Sequence, residues 1–287
     1  MIDLHTHSTA SDGSLSPAQL VRSAASAGLT ALALTDHDTI AGLEEAEAEA
    51  KKAGLRFIPG VELEIAWVSE SGAAPPGEFH LLGLGIRRPT PAFVAALRAL
   101  AEDREERNRE ILARLEDMGL RADYGELRAL AGDGSIGRPH IAALLVRQGL
   151  APNRELAFSR YLGKGRPFYV PRRGIPFGEA LVIIKESGGI PVLAHPLSLF
   201  VAWGRLPGLV AELRAQGLEG LEAWHPTAKV RACHRLEQLG RSLGLYITAG
   251  SDFHGEARPD RRLGYSSPGR KISEDLLAAI PPLYDAP

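Results

Sequence analysis

Short apolar segments, each ending in polar side chains, recur along the sequence, and most of them are followed by an amphipathic helix pattern. We predict seven of these segments to be β-strands, over residues 2–5, 31–35, 56–65, 79–86, 190–194, 220–224 and 245–249. Strands that alternate with helices are typical of an α/β fold with a largely parallel sheet. The sequence therefore predicts a barrel-like sheet, with the polar strand ends gathered at one rim.

Predicted helices lie between these strands. Ser16 is the predicted N-cap, and Pro17 the predicted first residue, of a helix that ends near Gly28. Further helices are predicted over residues 40–53, 177–186, 206–216 and 230–243. A loop rich in Ser, Gly and Pro, predicted over residues 69–77, takes the place of a helix after the third strand and breaks the strict alternation.

Between residues 90 and 162 the pattern contains helices only. Apolar residues with a period of 3.6 predict one or two helices over residues 91–118, and shorter helices follow at 124–131, 139–148 and 154–162. This stretch predicts a small all-helical insertion domain. We place the first part of the barrel at residues 1–100, the insertion at 101–165 and the second part of the barrel at 166–287.

Composition narrows the functional class. A net charge of −2 provides no basic field for indiscriminate nucleic-acid binding, so a nucleotide substrate would need a local site. Cys233 is the only cysteine, which excludes both a disulfide framework and a metal site built from thiolates. The first residues lack the features of a secretory signal, and no uncharged apolar run approaches the ~20 residues of a membrane helix. We expect a cytoplasmic protein without membrane association.

Side chains that can bind metal ions lie at or just beyond the predicted strand ends. They are His5, His7, Asp12, His37, Glu62, His80, His195, Asp252 and His254. His5 and His7 are two residues apart, so on an extended strand they point to the same side. Taken alone, each histidine can be a hydrogen-bonded core residue, and each carboxylate can belong to a turn or an outward-facing position. Gathered at one rim without a cation, they would leave buried polar groups unpaired, each costing roughly 1–3 kcal/mol. We therefore predict a polynuclear metal site.

The kinds of ligand indicate the metal and the substrate. Imidazole and carboxylate donors without thiolate suit Mn, Fe or Zn better than Ca or Mg. These ligands exceed what one ion can use, so two or three divalent ions are expected, with Mn preferred. Three such ions against the carboxylates of Asp12, Glu62 and Asp252 leave the site about three units positive, which favours a phosphate substrate and lowers the pKa of bound water.

Several motifs resemble the signature of the PHP (polymerase and histidinol phosphatase) superfamily, from residue 1 to about residue 265. They are His5-x-His7, Thr35-Asp36-His37-Asp38, Gly60-Val61-Glu62, His80-x-x-Gly83, Ala194-His195-Pro196 and Ser251-Asp252-x-His254. The resemblance implies a distorted (β/α)7 TIM-like barrel with two or three metal ions at its C-terminal rim. It also implies a hydrolase in which a metal-activated hydroxide attacks phosphorus in line.

The same resemblance assigns ligands to each ion. It implies that one ion is held by His5, His7, Glu62 and Asp252. A second would be held by His80 and His195, with Glu62 bridging the two ions, and a third by Asp12, His37 and His254. Among these ligands, it marks His195, Asp252 and His254 as catalytic.

The helical insertion and two nearby motifs resemble the branch of this superfamily linked by name to tryptophan operons. The motifs are Gly137-Arg138-Pro139-His140 and Tyr161-Leu162-Gly163-Lys164-Gly165. Members of that branch are similar to 3′,5′-nucleotide bisphosphate phosphatases and to 5′→3′ exonucleases that act on short 5′-phosphorylated RNA. The resemblance therefore implies a nucleotide or short RNA substrate, without a required protein partner.

Four side chains are predicted to contact the substrate. Arg138 precedes a proline that opens a helix, where free N–H groups favour an anion, although a solvated arginine is the alternative. Lys164 lies between glycines that suit a mobile loop, but an ordinary surface lysine fits equally. His140 either contacts phosphate or packs beside the helix start. His225 ends a strand at the active rim, so we expect a catalytic role as general acid or a substrate contact rather than a core role.

Two other functions remain open on the sequence. One is a small-molecule phosphatase similar to histidinol phosphatase, in which the barrel motifs would look the same. The other is a metal-binding accessory module without catalytic activity. The complete ligand set favours an enzyme over such a module.

Overall fold

A computed structural model describes residues 1–69, 72, 74–121, 123–131, 136–171, 173–267 and 269–284. Within this part of the chain, eight strands form one sheet. They are β1 (Ile2–Asp3), β2 (Ala31–Leu34), β3 (Arg56–Ala66), β4 (His80–Leu84), β5 (Ile175–Pro176), β6 (Ile190–Leu193), β7 (Gly220–Trp224) and β8 (Tyr246–Ala249). The strand order is β1-β2-β3-β4-β6-β7-β8, and β5 pairs with the end of β3.

The sheet closes on itself between its first and last strands. The Leu4 N–H donates to the Ala249 carbonyl over 3.3 Å, and the Asp252 N–H donates to the His5 carbonyl over 2.9 Å. The predicted seven-stranded barrel of an α/β protein is therefore confirmed. β5 was not predicted, because a strand of two residues is too short to show a period.

Two pairings in the barrel are antiparallel. β4 runs antiparallel to both β3 and β6, and His80 lies opposite Glu64 in the β3–β4 register. This reversal follows from the loop that takes the place of a helix after β3; residues 70, 71 and 73 of that predicted loop lie outside the described residues. Because β4 is reversed, His80 at its start lies at the same rim as the carboxyl ends of the parallel strands.

Helices surround the barrel. They are α1 (Pro17–Ser26), α2 (Leu43–Ala53), α7 (Phe177–Glu186), α8 (Leu206–Gln216), α9 (Val230–Ser242), α10 (Asp275–Ala278) and α11 (Pro281–Tyr284). The apolar faces of α7 to α11 and the strands form the main core, in which Leu63, Leu82 and Val192 are fully buried. α1 and α2 pack against β2 in a smaller cluster that contains Leu20, Ala46 and Leu34. Among the described residues, no helix is both long enough and apolar enough to cross a membrane.

The remaining helices form a second layer with a core of its own. They are α3 (Pro91–Asp117), α4 (Tyr124–Ala131), α5 (Arg138–Arg147) and α6 (Arg154–Ala157), followed by a π-helical turn at Phe158–Leu162. The separate core of this layer contains Ile111, Leu127, Ile141 and Phe168. α3 belongs to both layers, since Phe93 and Leu97 pack in the main core. The division at residues 100 and 165 stays a prediction.

The first turn of α1 is capped as predicted. The Ser16 hydroxyl accepts the Gln19 N–H over 3.2 Å, and the Gln19 side chain accepts the Ser16 N–H over 2.9 Å. Pro17 occupies the first helical position, where its missing N–H costs nothing. This capping box satisfies two N–H groups that the helix itself cannot pair.

We expect the substitution Ser16→Ala to lower the free energy of unfolding by about 1 kcal/mol, because one N–H group of the first turn loses its acceptor. Urea denaturation in excess chelator measures this change without a contribution from metal binding. Ser26→Ala, at an exposed position in the last turn of the same helix, is the matched control and should leave stability nearly unchanged. Equal losses in the two variants would contradict the capping role.

Candidate metal centre

The metal-competent side chains predicted from the sequence all lie at one rim of the barrel, and all are buried or half-buried. His5, His7 and Asp12 follow β1, His37 follows β2, Glu62 lies within β3, His80 begins β4, His195 follows β6, and Asp252 and His254 follow β8. Their donor atoms fall into overlapping groups within 4.8 Å. The strand ends therefore bring together residues that are up to about 250 positions apart in the chain.

The first group lies around one oxygen of Glu62. The Nε2 atoms of His5 and His7 are 3.1 Å apart, and each lies 3.3 Å from Glu62 Oε2. Asp252 Oδ1 is 3.7 Å from His5 Nε2 and 3.4 Å from His7 Nε2. Ligand atoms at about 2.1 Å from a tetrahedral ion lie about 3.4 Å from one another. The spacing of this group therefore matches one metal ion.

The second group lies around the other oxygen of Glu62. Oε1 is 2.8 Å from His80 Nδ1 and 2.8 Å from His195 Nε2. Two clusters of donor atoms within 4.8 Å combine His80 with His37 and Glu62, and His195 with His5 and Glu62. Glu62 thus reaches two groups at once, and the separation between them is less sharp than the family resemblance implies.

The third group contains Asp12, His37 and His254, together with His7. Asp12 Oδ1 is 3.2 Å from His254 Nε2 and 3.9 Å from His37 Nε2. The His7 ring lies 4.1 Å from the His254 ring and 4.6 Å from the His37 ring, measured between centroids. His7 therefore lies between the first and third groups, which the sequence did not predict.

Several of these donor atoms approach one another without forming hydrogen bonds. Asp12 Oδ1, Glu62 Oε2 and His254 Nε2 are buried and have no hydrogen-bond partner among the described residues. Buried polar atoms without a partner cost roughly 1–3 kcal/mol each, and a shared cation would satisfy them together. The donor set of imidazoles and carboxylates therefore fits bound divalent ions.

The carboxylates of this site are anionic. Burial alone would raise the pKa of Glu62, but His37 and His80 outweigh it and hold that pKa well below its usual value. Burial also opposes ionisation of Asp252, yet Arg258 and His254 keep its pKa well below the usual value. Arg258 Nη1 lies 2.6 Å from Asp252 Oδ2. Both carboxylates thus carry the charge that metal binding requires.

Glu222 is a buried carboxylate of this site that the sequence analysis missed. It lies in β7, and its Oε1 is 3.0 Å from His5 Nδ1. Its Oε2 accepts the backbone N–H of His195 over 2.7 Å. His80 has a similar partner, because its Nε2 lies 3.0 Å from Glu64 Oε2. A glutamate inside an apolar strand is the signal that could have identified Glu222.

Asp36 holds the turn that carries Asp12. Its carboxylate accepts the Ser8 N–H over 2.8 Å, the Ser8 hydroxyl over 2.6 Å and the Ser11 hydroxyl over 2.5 Å. These bonds connect the loop after β1 to the end of β2, next to His37. The third donor group therefore depends on a second buried carboxylate.

The predicted substrate contacts are distributed between the site and its edge. His225 Nε2 lies 3.3 Å from Asp252 Oδ2, so His225 belongs to the cluster. Arg138 pairs with Glu78 over 2.5 Å, and Lys164 donates to the Pro76 carbonyl over 3.4 Å. Arg138 and Lys164 thus attach the helical layer to one segment of the barrel, and their contact with a substrate stays a prediction.

Arg154 and His140, in the helical layer, both feel the charge of Asp12 in the third donor group. Burial lowers the pKa of His140, and Asp12 and Arg154 are its charged neighbours. Burial also lowers the pKa of Arg154, whose charged neighbours are Asp12 and Arg258. Arg154 donates to the Ala257 carbonyl over 3.0 Å. Neither Arg154 nor Arg258 was predicted, because isolated arginines carry no motif.

Comparisons with known proteins agree with this geometry. A "5'-3' exoribonuclease" of Haemophilus influenzae is 35% identical over 283 residues, which cover 99% of this chain and 97% of that protein. A "3',5'-nucleoside bisphosphate phosphatase" of Chromobacterium violaceum is 34% identical over 284 residues, covering 99% and 95%. A solved structure of an amidohydrolase from Chromobacterium violaceum, with bound sulfate and no metal, has a TM-score of 0.83 at 33% identity, covering 97% of this chain and 96% of that one.

The chain belongs to the PHP domain family, whose model matches residues 3–156. The matched residues contain His5, His7, Asp12, His37, Glu62 and His80. The predicted ligands from the second part of the barrel lie beyond the matched range, and the fold brings them to the same rim. The predicted resemblance to this superfamily is confirmed.

We expect Asp252→Asn to lose at least one metal ion per chain, because a neutral amide replaces an anionic oxygen close to both His5 and His7. Hydrolytic activity should fall at least about 100-fold, the upper range for disturbed partners of metal ligands. Elemental analysis of the purified protein measures the metal content. Asp260→Asn, at a side chain that is 70% exposed, is the control. A variant with full metal content and activity would reject the first donor group.

We expect Glu222→Ala to weaken divalent metal binding by about 10- to 100-fold, because His5 loses the carboxylate that orients its ring. Calorimetric titration with Mn²⁺ measures the affinity, and a urea transition checks that the variant folds. Glu186→Ala, on the exposed side of α7, should bind the metal like the unaltered protein. Unchanged affinity in a folded Glu222→Ala protein would show that Glu222 has only a structural role.

Proposed function

We propose that this protein is a metal-dependent phosphoesterase that hydrolyses terminal phosphates of nucleotides. The substrates would be 3′,5′-nucleoside bisphosphates, short 5′-phosphorylated RNA, or both. The observation that carries the proposal is the shared carboxylate of Glu62, whose two oxygens face separate groups of metal donors beside a set of basic side chains. The names of the two relatives support the same substrate class.

The proposed cofactor is two or three divalent ions, with Mn preferred and Fe or Zn as alternatives that fit the same donors. We assign His5, His7, Glu62 and Asp252 to one ion, His80 and His195 with Glu62 to another, and Asp12, His37 and His254 to a third. When bound, such ions neutralise charge on a phosphate group and supply a nucleophilic water near neutral pH.

The chain's own cations would hold the rest of the substrate. Arg258 pairs with Asp252 at the first donor group, and the charges of Asp12 and Arg258 both act on Arg154. A guanidinium group binds phosphate through paired N–H donors, so these arginines suit a phosphate beside the metal ligands. A bisphosphate carries two such groups, one for hydrolysis and one for recognition.

We propose that the helical layer, residues 101–165, acts as a lid over this site. The charge of Asp12 in the third donor group acts on His140 and Arg154 of this layer, and Arg138 and Lys164 attach the layer to the barrel. In the proposed lid, Arg138, His140 and Lys164 would contact the substrate only after the lid has closed over it. The lid would also exclude water, which strengthens the interactions of the arginines with phosphate.

His225 is better suited to donate a hydrogen bond than to act as a general acid. Burial lowers its pKa, so the neutral ring is favoured near pH 7. Its Nδ1 accepts the Thr227 N–H over 3.3 Å, so the proton of the neutral ring lies on Nε2. Nε2 is the atom that faces Asp252 and the metal donors. We assign His225 to orienting a substrate oxygen.

Hydrolysis of a panel of phosphates tests the proposed function. With Mn²⁺-loaded protein, we expect turnover of adenosine 3′,5′-bisphosphate and of a 5′-phosphorylated oligoribonucleotide. The same oligomer without its phosphate should react far more slowly, because the arginines and the metal site lose their anion.

Histidinol phosphate serves as the discriminating substrate in the same panel. Equal turnover of the phosphorylated and unphosphorylated oligomers would contradict recognition of a terminal phosphate. Turnover of histidinol phosphate alone would favour the small-molecule phosphatase. A fully metal-loaded protein without activity on any of the four compounds would favour the accessory module.

A further inference from the structure

An exposed group of basic side chains lies beside the metal centre and has no part in it. We call it the cationic face and define it by Lys229, Arg231, Arg235 and Arg270, all of which are exposed. Among the described residues, none of these four side chains forms an ion pair or donates a hydrogen bond. Glu237, on the same helix, accepts the Trp224 indole N–H and pairs with Arg241. Arg270 also acts on the Glu237 carboxylate through its charge, without forming an ion pair.

Some exposed basic residues elsewhere in the protein are neutralised by acidic neighbours. Lys51 pairs with Glu47, Lys52 with Glu49, and Arg98 with Glu102. The protein as a whole carries a net charge of −2. The positive charge of the cationic face is therefore local and available to an external anion.

The cationic face begins at the rim that holds the metal donors. Lys229 lies four residues beyond His225 and directly precedes α9. Arg231 and Arg235 follow one helical turn apart, so they share one side of α9. Arg270 lies over Trp224, the residue before His225, with its guanidinium carbon 3.6 Å from the ring centroid. The four cations thus lead from the catalytic rim along the outer surface of the barrel.

Two of these arginines are stacked on tryptophan rings. Arg235 lies 4.0 Å above the ring centroid of Trp203, and Arg270 covers Trp224. A guanidinium group over a tryptophan face is attracted by the ring, which restricts the position of the charge. Single-stranded nucleic acids bind to surfaces that combine basic side chains with planar groups on which bases stack.

We propose that the cationic face binds the sugar–phosphate backbone of an RNA substrate, on the 3′ side of the nucleotide held at the metal centre. This inference rests on the proposed function, since it requires that RNA ends are substrates. A mononucleotide is too short to extend from the metal donors onto α9. A longer RNA must leave the rim, and this face provides positive charge where it does so.

The test compares substrates of different length in the unaltered protein and in a variant with Lys229→Ala, Arg231→Ala, Arg235→Ala and Arg270→Ala. We expect the unaltered protein to have a lower KM for a 5′-phosphorylated RNA of about eight nucleotides than for one of about two, because a strand of that length covers a typical binding site.

In the variant, kcat/KM for the longer RNA should fall roughly tenfold. The slope of log kcat/KM against log salt concentration should become shallower by about 0.7 for each phosphate that the variant no longer neutralises. Turnover of adenosine 3′,5′-bisphosphate should not change.

The control variant combines Lys51→Ala, Lys52→Ala and Arg98→Ala, whose side chains are 75%, 73% and 82% exposed. It should keep the full dependence on RNA length. If the four-residue variant is poorly folded, the pair Lys229→Ala and Arg231→Ala tests the same point, because neither side chain contacts an aromatic ring among the described residues.

Fluorescence anisotropy with an unphosphorylated oligoribonucleotide measures binding without turnover. Two results would overturn the inference if adenosine 3′,5′-bisphosphate is still hydrolysed. One is that kcat/KM depends on RNA length equally in the variant and in the unaltered protein. The other is that kcat/KM of the unaltered protein does not depend on RNA length. Absence of hydrolysis of every nucleotide would instead overturn the proposed function. Displacement of the RNA by polyglutamate at equal charge concentration would indicate an acidic protein as the occupant and would also overturn the inference.

Discussion

The structure of this rim depends on the sharing of one buried carboxylate between two sets of metal donors. Glu62 is fixed on both sides by its backbone, because its N–H donates to the Asp36 carbonyl over 3.2 Å and its carbonyl accepts the Asp38 N–H over 2.9 Å. It has a neighbour on each side, with a parallel bridge to His37 beyond β2 and antiparallel pairing with Leu82 of β4. The antiparallel direction of β4 brings His80 to the same oxygen that faces His195.

A layer of buried carboxylates supports the donors from behind. Glu222 contacts His5 and the backbone of His195, and Asp36 holds the turn that carries Asp12. Such partners fix the orientation of metal ligands and their protonation. The metal donors are therefore surrounded by a second set of carboxylates. These carboxylates come from parts of the chain that are distant in sequence from the donors that they orient. The barrel supplies the rigidity that both sets require.

The parts that could be predicted from the sequence are those with a local pattern. Strands that end in histidine or a carboxylate identified the rim, and the Ser16-Pro17 pair identified the start of α1. Arg154 and Arg258 have no such pattern and were missed. Glu222 was missed as well, although a glutamate inside an apolar strand is a signal, because its contact with His5 joins residues more than 200 positions apart. The start of α2 was predicted at residue 40 but lies at Leu43, because Asp38 adopts a positive φ of 52° and the chain needs several residues to turn into the helix. The two-residue strand β5 was too short to recognise.

The continuity of α3 determines how the two layers can move. This helix of 27 residues begins in the barrel core and ends in the core of the helical layer. It is therefore a continuous, rigid connection between the two layers, about 40 Å long. Rotation at the junction would break backbone hydrogen bonds in the middle of the helix, whereas bending along its length spreads the strain. Two side-chain hydrogen bonds at the other side of the layer, from Arg138 to Glu78 and from Arg154 to the Ala257 carbonyl, can be released without breaking backbone hydrogen bonds of the helix. The helical layer is joined to the barrel through α3 and through the segment that leads to β5. The lid movement proposed above would therefore combine bending of α3 with release of these side-chain contacts.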